Sequence, residues 1–185
     1  MTLSILGGGS WGTALASVLA PRFERLRLWV FEPDLAARMS ASRENDVFLP
    51  GLRLPENVEI VSDLPAVIDG AGILLGVVPS HYARSLYERV LPTLDPATIF
   101  VSATKGLESG TLLRMSQVLC EVVQPKFEPR IAVLSGPTFA REVAAGEPTT
   151  VVVASAHAAT AAAVQTAFSG PSRHFCPRVK AVFLQ

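Results

Sequence analysis

A glycine-rich turn between an apolar segment and a small-residue segment places the strongest constraint on the fold of this chain. Residues 3–6 are typical of a buried strand and lead directly into the sequence GGGSWG at positions 7–12. Gly7 permits a tight strand-to-helix turn, Gly9 leaves the backbone open to close approach, and Gly12 lets the helix pack against the sheet. The free N–H groups and positive end of the following helix predict a dinucleotide pyrophosphate site.

The second predicted strand supports this interpretation because it leads into an acidic residue. Residues 26–31 form an apolar-rich segment that is followed by Glu32, 20 residues after Gly12. A carboxylate in this position accepts hydrogen bonds from an adenosine ribose. The glycine pattern alone also fits an ordinary turn of another α/β protein. The strand before it, the helix after it and the acidic residue together favour the dinucleotide site.

Strand-like and helix-like segments alternate along the chain. This alternation predicts βαβ units and an α/β fold of the doubly wound Rossmann type, with a mainly parallel sheet. Residues 33–42 and 111–122 are predicted to be helical, and a loop punctuated by Pro and Gly is expected over residues 45–55. Ser80 is a candidate cap for the helix that follows the central strand.

The composition describes a protein with a substantial core and no electrostatic preference for polyanions. The chain has 185 residues, 49% of them hydrophobic, and a formal net charge of zero. It can therefore bury the core of one domain, and its charge argues against nucleic acid or an anionic membrane as a partner. No segment is long and apolar enough to span a bilayer. Cys120 and Cys176 lack metal-ligand spacing, so we expect reduced thiols, a cytosolic protein and no metal site.

Unusual polar and glycine-containing segments follow several predicted strands. Because ligands bind beyond the carboxyl ends of the strands in open α/β sheets, we expect these segments to meet at one edge. Residues 136–140 either bind an anion at a helix start or form a plain turn with a threonine cap. The segments are residues 7–12, 31–32, 79–82, 103–106 and 135–140.

Lys105 is the strongest candidate catalytic residue in these segments. It is the cation of its segment, lies next to Gly106 and follows a buried strand, where a point charge holds a phosphate or polarises a carbonyl. The alternative is a surface lysine in a loop. His81 could carry a proton at neutral pH, although a lone histidine is more often structural. Phe31 and Tyr82 could flank a flat adenine or nicotinamide ring, or they could pack in the core.

Six motifs occur together in the chain: GGGSWGTALA (7–16), LWVFEPD (28–34), FLPG (48–51), VVPSH (77–81), SATKG (102–106) and SGPTFAREVAAGEPT (135–149). In this order and spacing they resemble the N-terminal domain of NAD(P)-dependent glycerol-3-phosphate dehydrogenases, from residue 3 to about residue 155. The resemblance implies reversible hydride transfer between sn-glycerol 3-phosphate and dihydroxyacetone phosphate. It also implies a cytoplasmic enzyme of phospholipid biosynthesis.

Roles for individual residues follow from the motifs and the resemblance together. Lys105 is expected to act in catalysis and to contact both cofactor and substrate, and Gly136 and Thr138 match substrate contacts. The expected cofactor contacts are Gly7, Gly9, Ser10, Trp11, Gly12, Phe31, Glu32, Pro79, Tyr82, Lys105 and Ala140.

The sequence departs from the resemblance at its C-terminal end. Members of the family continue into an all-helical C-terminal domain that supplies a general-base lysine, and by spacing this lysine falls a few residues beyond Gln185. Lys180 comes too early, and residues 175–185 match poorly. We therefore interpret residues 1–185 as the Rossmann domain alone. We expect it to bind dinucleotide with little turnover, and we expect the whole enzyme to be a homodimer formed through the C-terminal part.

The preference between the two dinucleotides rests on Glu32, because a carboxylate beside the ribose repels a 2′-phosphate. This favours NAD over NADP, unless Arg38 or Arg43 reaches the ribose. Two alternative functions stay open. One is another two-domain dehydrogenase, such as a ketopantoate reductase or a β-hydroxyacid dehydrogenase, and the other is a dinucleotide-binding module without catalysis of its own.

Overall fold

The computed structural model describes residues 1–169 and 178–183. The strands are Thr2–Leu6 (β1), Arg25–Trp29 (β2), Glu44–Asn45 (β3), Leu49–Arg53 (β4), Val58–Val61 (β5), Ala71–Gly76 (β6), Ile99–Ser102 (β7), Arg130–Ser135 (β8), Thr150–Ser155 (β9) and Arg178–Phe183 (β10). The helices are Ser10–Leu19 (α1), Pro33–Ser42 (α2), Leu64–Ile68 (α3), Ser80–Val90 (α4), Met115–Val123 (α5), Ala140–Ala144 (α6) and Ala158–Phe168 (α7).

Eight of the strands form one twisted sheet in the order β10-β9-β8-β7-β6-β1-β2-β5. Every neighbouring pair is parallel except β8 and β9, which run antiparallel. The chain winds outwards from β1 in both directions, first to β2 and β5 and then to β6, β7 and β8. The predicted doubly wound, mainly parallel Rossmann-type sheet is confirmed.

The central strands are apolar on both sides because helices cover both faces of the sheet. In β6, Ile73 and Leu75 pack into a cluster with α1 and α7, while Leu74 packs into a second cluster with α4 and α5. In β7, Phe100 belongs to the second cluster and is fully buried. Burial on both faces explains why these strands read as continuous apolar runs in the sequence.

Local chemistry sets the ends of two helices beyond the glycine-rich turn. Pro33 occupies the first turn of α2, where its missing N–H costs nothing. The side chain of Asp63 accepts a hydrogen bond from Ala66 N at 3.1 Å and caps α3. The predicted cap at Ser80 is wrong: α4 begins at Ser80 itself, with Pro79 as the residue before it and no side-chain cap.

Two predicted boundaries differ from the structure. Residues 45–55 are not wholly a loop, because β3 and β4 pair as a small antiparallel hairpin. The helix predicted from residue 111 begins at Met115, since residues 107–114 close into a loop through a bridge between Leu107 and Arg114. Positive φ angles at Gly110 (91°) and Leu112 (57°) turn the chain within that loop.

The described residues include one of the two cysteines and two of the three histidines of the chain. Cys120 is a free thiol on α5, and His157 directly precedes α7. His174 and Cys176 lie outside the described residues. Within residues 1–169 and 178–183, no helix has the length and apolar character needed to cross a membrane. The same residues contain no cluster of metal-ligating side chains.

Candidate functional site

The unusual segments singled out in the sequence meet at one edge of the sheet. Strands β1, β2, β6, β7 and β8 run parallel, so their carboxyl ends point the same way. The residues that follow them are the glycine-rich turn, Phe31-Glu32, and residues 77–82, 103–106 and 136–140. Because β1 lies between β2 and β6, this edge contains the point where the strand order reverses, which is the usual ligand position in such folds.

The three motif glycines have different surroundings. Gly7 has φ of 128°, and a Cβ there would lie 2.7 Å from the Val77 carbonyl oxygen. A Cβ on Gly12 would lie 1.8 Å from the Gly7 carbonyl oxygen. At Gly9, by contrast, a Cβ would have no atom within 4 Å. Gly7 and Gly12 are therefore required by the packing of the protein, whereas Gly9 borders open space that a ligand can enter.

Helix α1 presents unpaired backbone donors to that open space. Gly9 precedes the helix in an extended conformation, and no side chain caps the helix start. The first helical hydrogen bond joins Thr13 N to Gly9 O at 2.9 Å, so the N–H groups of residues 10–12 have no acceptor within the helix. No acidic residue lies in the first turn. Three free donors and the positive helix end fit a diphosphate group, so the turn can hold a dinucleotide.

A second concave region, the Lys105 cleft, lies beside the turn. It has a volume of about 450 Å³. Lys105 Nζ donates to the Thr138 carbonyl oxygen at 3.2 Å and lies 5.9 Å from the ring centre of Trp11. The lining residues are Trp11, Ala103, Thr104, Lys105, Gly106, Leu107, Arg114, Met115, Ser116, Val133, Leu134, Ser135, Gly136, Thr138, Val151 and Ala154. Lys105 and Arg114 are the charged members of this set, and it contains no carboxylate.

The segment after β8 lines the cleft next to Lys105. A Cβ on Gly136 would lie 2.7 Å from the Thr150 carbonyl oxygen, so the absence of a side chain lets this segment pass close to β9. Thr138 is buried, and its hydroxyl does not cap α6, which begins at Ala140 without a side-chain cap. The threonine-cap alternative is therefore wrong.

The aromatic residues at the strand ends are exposed. Phe31 is 66% exposed and Tyr82 is 59% exposed, so core packing is wrong for both. The ring centre of His81 lies 4.1 Å from that of Tyr82, and both residues are on the first turn of α4. Glu32, Pro79 and the two aromatic residues are thus accessible side chains that follow β2 and β6, the strands on either side of β1.

Comparison with known proteins identifies what this arrangement is similar to. Residues 2–161 match the family model described as NAD-dependent glycerol-3-phosphate dehydrogenase N-terminus. The chain belongs to this family. It is 46% identical over 170 residues to a glycerol-3-phosphate dehydrogenase [NAD(P)+] of Koribacter versatilis, covering 91% of this chain and 50% of that protein. A Moorella thermoacetica relative of the same name is 46% identical over 171 residues, covering 92% of this chain and 50% of the relative.

Solved structures agree with the family. The crystal structure of glycerol-3-phosphate dehydrogenase from Coxiella burnetii aligns with a TM-score of 0.88 at 35% identity, covering 98% of this chain and 53% of that chain. A ketopantoate reductase from Ralstonia eutropha aligns over 98% of this chain and 56% of its own, with a TM-score of 0.66 at 20% identity, a likeness of fold alone. The chain spans about half the length of the curated relatives it matches.

An ion-pair network supports the loop that follows Lys105. Arg84 on α4 donates to both carboxylate oxygens of Glu108 at 2.8 and 2.9 Å, and also to Glu121 at 2.7 Å. Thr111 donates a further hydrogen bond to Glu108. Hydrogen bonds, first from Arg84 and to a lesser extent from Thr111, lower the pKa of Glu108 to about 2. The carboxylates of Glu108 and Glu121 in turn raise the pKa of Arg84. The network ties the loop to two helices.

Two residues near the site were not identified from the sequence. Arg114 lines the Lys105 cleft, although the sequence pattern places it inside a longer helix. Asn45 is fully buried beneath the glycine-rich turn, although it lies in a segment expected to be a loop. No local pattern marks Asn45, because its partners are Gly8 and Thr13, 37 and 32 residues away in sequence.

Proposed function

We propose that this chain is the dinucleotide-binding part of an enzyme that interconverts sn-glycerol 3-phosphate and dihydroxyacetone phosphate with NAD(P). The observation that carries the proposal is the position of Trp11. It belongs to the first turn of α1, where the pyrophosphate would bind, and it also lines the Lys105 cleft. A dinucleotide on the turn therefore has one end directed to the cleft.

The proposed cofactor contacts divide into two groups. The backbone of residues 7–12, including the N–H groups of Ser10 and Trp11, would hold the pyrophosphate. Phe31, Glu32, Pro79 and Tyr82 would surround the adenosine half, with the Glu32 carboxylate accepting hydrogen bonds from the ribose. Ala140 would contact the nicotinamide half from the start of α6. The bound nicotinamide supplies the hydride chemistry, and the protein positions and polarises its substrate.

Lys105 is proposed to act on the oxygen at C2 of the substrate. Its ammonium group would stabilise negative charge that develops on that oxygen, and Gly136 and Thr138 would position the substrate beside it. Arg114 adds a second positive charge to a cleft whose lining contains no carboxylate. Two cations in one cleft support an anionic substrate such as a small phosphorylated ketone.

We propose a preference for NAD over NADP. Glu32 is exposed at the start of α2, where its charge would repel a ribose 2′-phosphate. The two nearby arginines are engaged elsewhere: Arg38 bonds both carboxylate oxygens of Asp46 at 3.2 Å, and Arg43 donates to the carbonyl oxygens of Pro55 and Val58. Neither supplies a free positive charge to offset Glu32.

The chain covers about half of its relatives, so the proposal assigns the remaining chemistry to the other half of the enzyme. That half would supply the lysine that moves the alcohol proton and would form the homodimer, in a cytoplasmic enzyme. Residues 1–185 by themselves would then bind dinucleotide and turn over little substrate. This outcome also separates the proposal from a module that has lost catalysis, because only the former gains activity when its missing half is supplied.

Calorimetric titration of the chain with NADH and with NADPH tests the proposal. We expect measurable binding of NADH and at least about tenfold weaker binding of NADPH, since uncompensated charge repulsion of about 1.4 kcal/mol corresponds to a factor of ten. Absence of binding at millimolar NADH would reject the dinucleotide site. Clear preference for NADPH would reject the role of Glu32. Rapid reduction of dihydroxyacetone phosphate by residues 1–185 would reject the need for a second half.

A further inference from the structure

Asn45 is a fully buried polar residue next to the exposed turn of the β3–β4 hairpin. The β3–β4 hairpin turns at residues 46–48, which are exposed, whereas the Asn45 side chain points beneath the glycine-rich turn with 0% exposure. A buried amide is tolerated only when hydrogen bonds replace those it made to water. The partners of Asn45 therefore determine what this residue does.

The hydrogen bonds of Asn45 fix the orientation of its amide. Its Oδ1 accepts from the backbone N of Phe48 at 3.0 Å, and because a backbone N–H can only donate, this contact identifies the oxygen. Its Nδ2 then donates to the Gly8 carbonyl oxygen and to Thr13 Oγ1, both at 2.8 Å. The Thr13 hydroxyl makes a longer contact of 3.4 Å to the same Gly8 oxygen. Asn45 thus holds the Gly8 carbonyl on the buried side of the turn.

The orientation of that carbonyl sets the orientation of the next N–H. In a planar trans peptide, the carbonyl oxygen of one residue and the N–H of the next point to opposite sides. With the Gly8 oxygen held inwards, the N–H of Gly9 points outwards. The space around the Cβ position of the same residue is open, with no atom within 4 Å. Within residues 1–169 and 178–183, the Gly9 N–H donates no hydrogen bond. It is available to a ligand.

Without Asn45, the Gly8 carbonyl oxygen would keep the weaker 3.4 Å contact from the Thr13 hydroxyl. Gly8 and Gly9 both lack Cβ atoms, so the peptide between them can rotate at low steric cost. Rotation would turn the Gly8 carbonyl oxygen to the crevice, where it would repel a phosphate oxygen. The turn of the β3–β4 hairpin is also attached to the start of α1, because the Ser10 hydroxyl donates to the Phe48 carbonyl oxygen at 2.6 Å.

We propose that Asn45 is a positioning residue for the dinucleotide pyrophosphate, because it holds the Gly8–Gly9 peptide with the Gly9 N–H directed at the phosphates. The inference rests on the proposed dinucleotide-binding function and extends it to the hairpin. It assigns the β3–β4 hairpin a role in phosphate recognition that acts through the glycine-rich turn.

Two substitutions of Asn45 test the proposal on the whole 185-residue chain. Asn45→Asp keeps the acceptor for Phe48 and loses both donors, and Asn45→Leu removes all the hydrogen bonds without adding charge. For both variants we expect the Kd for ADP and for NADH to rise about 10- to 100-fold, the value of one hydrogen bond to a charged group. The Kd for adenosine, which carries no phosphate, should change less than about twofold, since its contacts lie outside this peptide group.

Asn57 offers a matched control at the opposite edge of the sheet. Its Nδ2 also donates to two backbone carbonyls, those of Ala20 at 2.8 Å and Phe23 at 3.0 Å. Asn57→Asp should lower the melting temperature and leave the Kd for NADH unchanged. It therefore separates loss of stability from loss of phosphate binding.

Each result decides one question. Failure of the unmodified chain to bind NADH would reject the proposed function and not the role of Asn45. If the unmodified chain binds NADH, equal losses of adenosine and NADH affinity in both Asn45 variants would show a merely structural role. Unchanged NADH affinity in Asn45→Leu, if it folds, or in Asn45→Asp would also overturn the proposal. A loss confined to Asn45→Asp would indicate charge repulsion and overturn it as well.

Discussion

Substitution of alanine at two glycines of the same motif should separate binding from folding. At Gly9 an added Cβ meets no atom within 4 Å, and the φ of −72° is compatible with alanine. The free energy of unfolding should therefore change by less than about 1 kcal/mol. The same methyl group stands where the pyrophosphate must approach and would keep a phosphate oxygen away from a backbone N–H. The loss of one such hydrogen bond to a charged group should raise the Kd for NADH about 10- to 100-fold.

At Gly12, by contrast, we expect alanine to lower the stability of the fold. A Cβ there would lie 1.8 Å from the Gly7 carbonyl oxygen, so α1 must move away from the sheet. Overpacking of this sort destabilises by about 1–3 kcal/mol or more. Urea denaturation followed by circular dichroism measures the stability of both variants, and calorimetry measures NADH binding. A Gly9→Ala chain that binds NADH normally, or that unfolds as readily as Gly12→Ala, would refute this account of the turn.

Two further changes probe the loop that follows Lys105 and the proposed role of Lys105 itself. Glu108→Gln removes a carboxylate whose pKa of about 2 lies below its usual 4.5, so Glu108 stabilises the fold above about pH 4.5 and loses this effect as the pH falls towards 2. The variant should be less stable than the unmodified chain at pH 7, and the two chains should be equally stable near pH 2. Thermal melts across this pH range measure the difference in stability. A difference that stays constant with pH would contradict the ion-pair network. Lys105→Ala in the full-length enzyme should lower kcat/KM about 100- to 1,000-fold, while the Kd for NADH changes far less. Steady-state kinetics measures the first quantity and calorimetry the second. Equal losses of kcat/KM and of NADH affinity would count against a role of Lys105 on the substrate oxygen.

Local sequence chemistry was sufficient to predict the first βα unit and most of the sheet. The apolar run before Gly7, the glycines and Pro33 each act on their immediate neighbours, so strand, turn and helix could be read in order. The parallel arrangement then followed from alternation of strands and helices. It brings Lys105 and Thr138 within hydrogen-bonding distance, at 3.2 Å between Nζ and the carbonyl oxygen.

Features that depend on distant pairing could not be predicted in this way. The β3–β4 hairpin contains Pro50 and Gly51, which are typical of loops, and it forms because the segment packs on α1. The burial of Asn45 depends on Gly8 and Thr13, which local patterning does not connect to it. The antiparallel direction of β9 likewise depends on its pairing with β8, which its β-branched composition does not specify.

We propose above all that bare backbone amides of the first βα turn bind the diphosphate of a nicotinamide dinucleotide. The most direct measurement is titration of the ¹⁵N-labelled chain with NADH, followed by amide chemical shifts. We expect the largest shifts at the N–H groups of Gly9, Ser10 and Trp11, with further shifts at Lys105 and Ala140. Absence of shifts in the turn at millimolar NADH, or shifts confined to another part of the chain, would contradict this proposal.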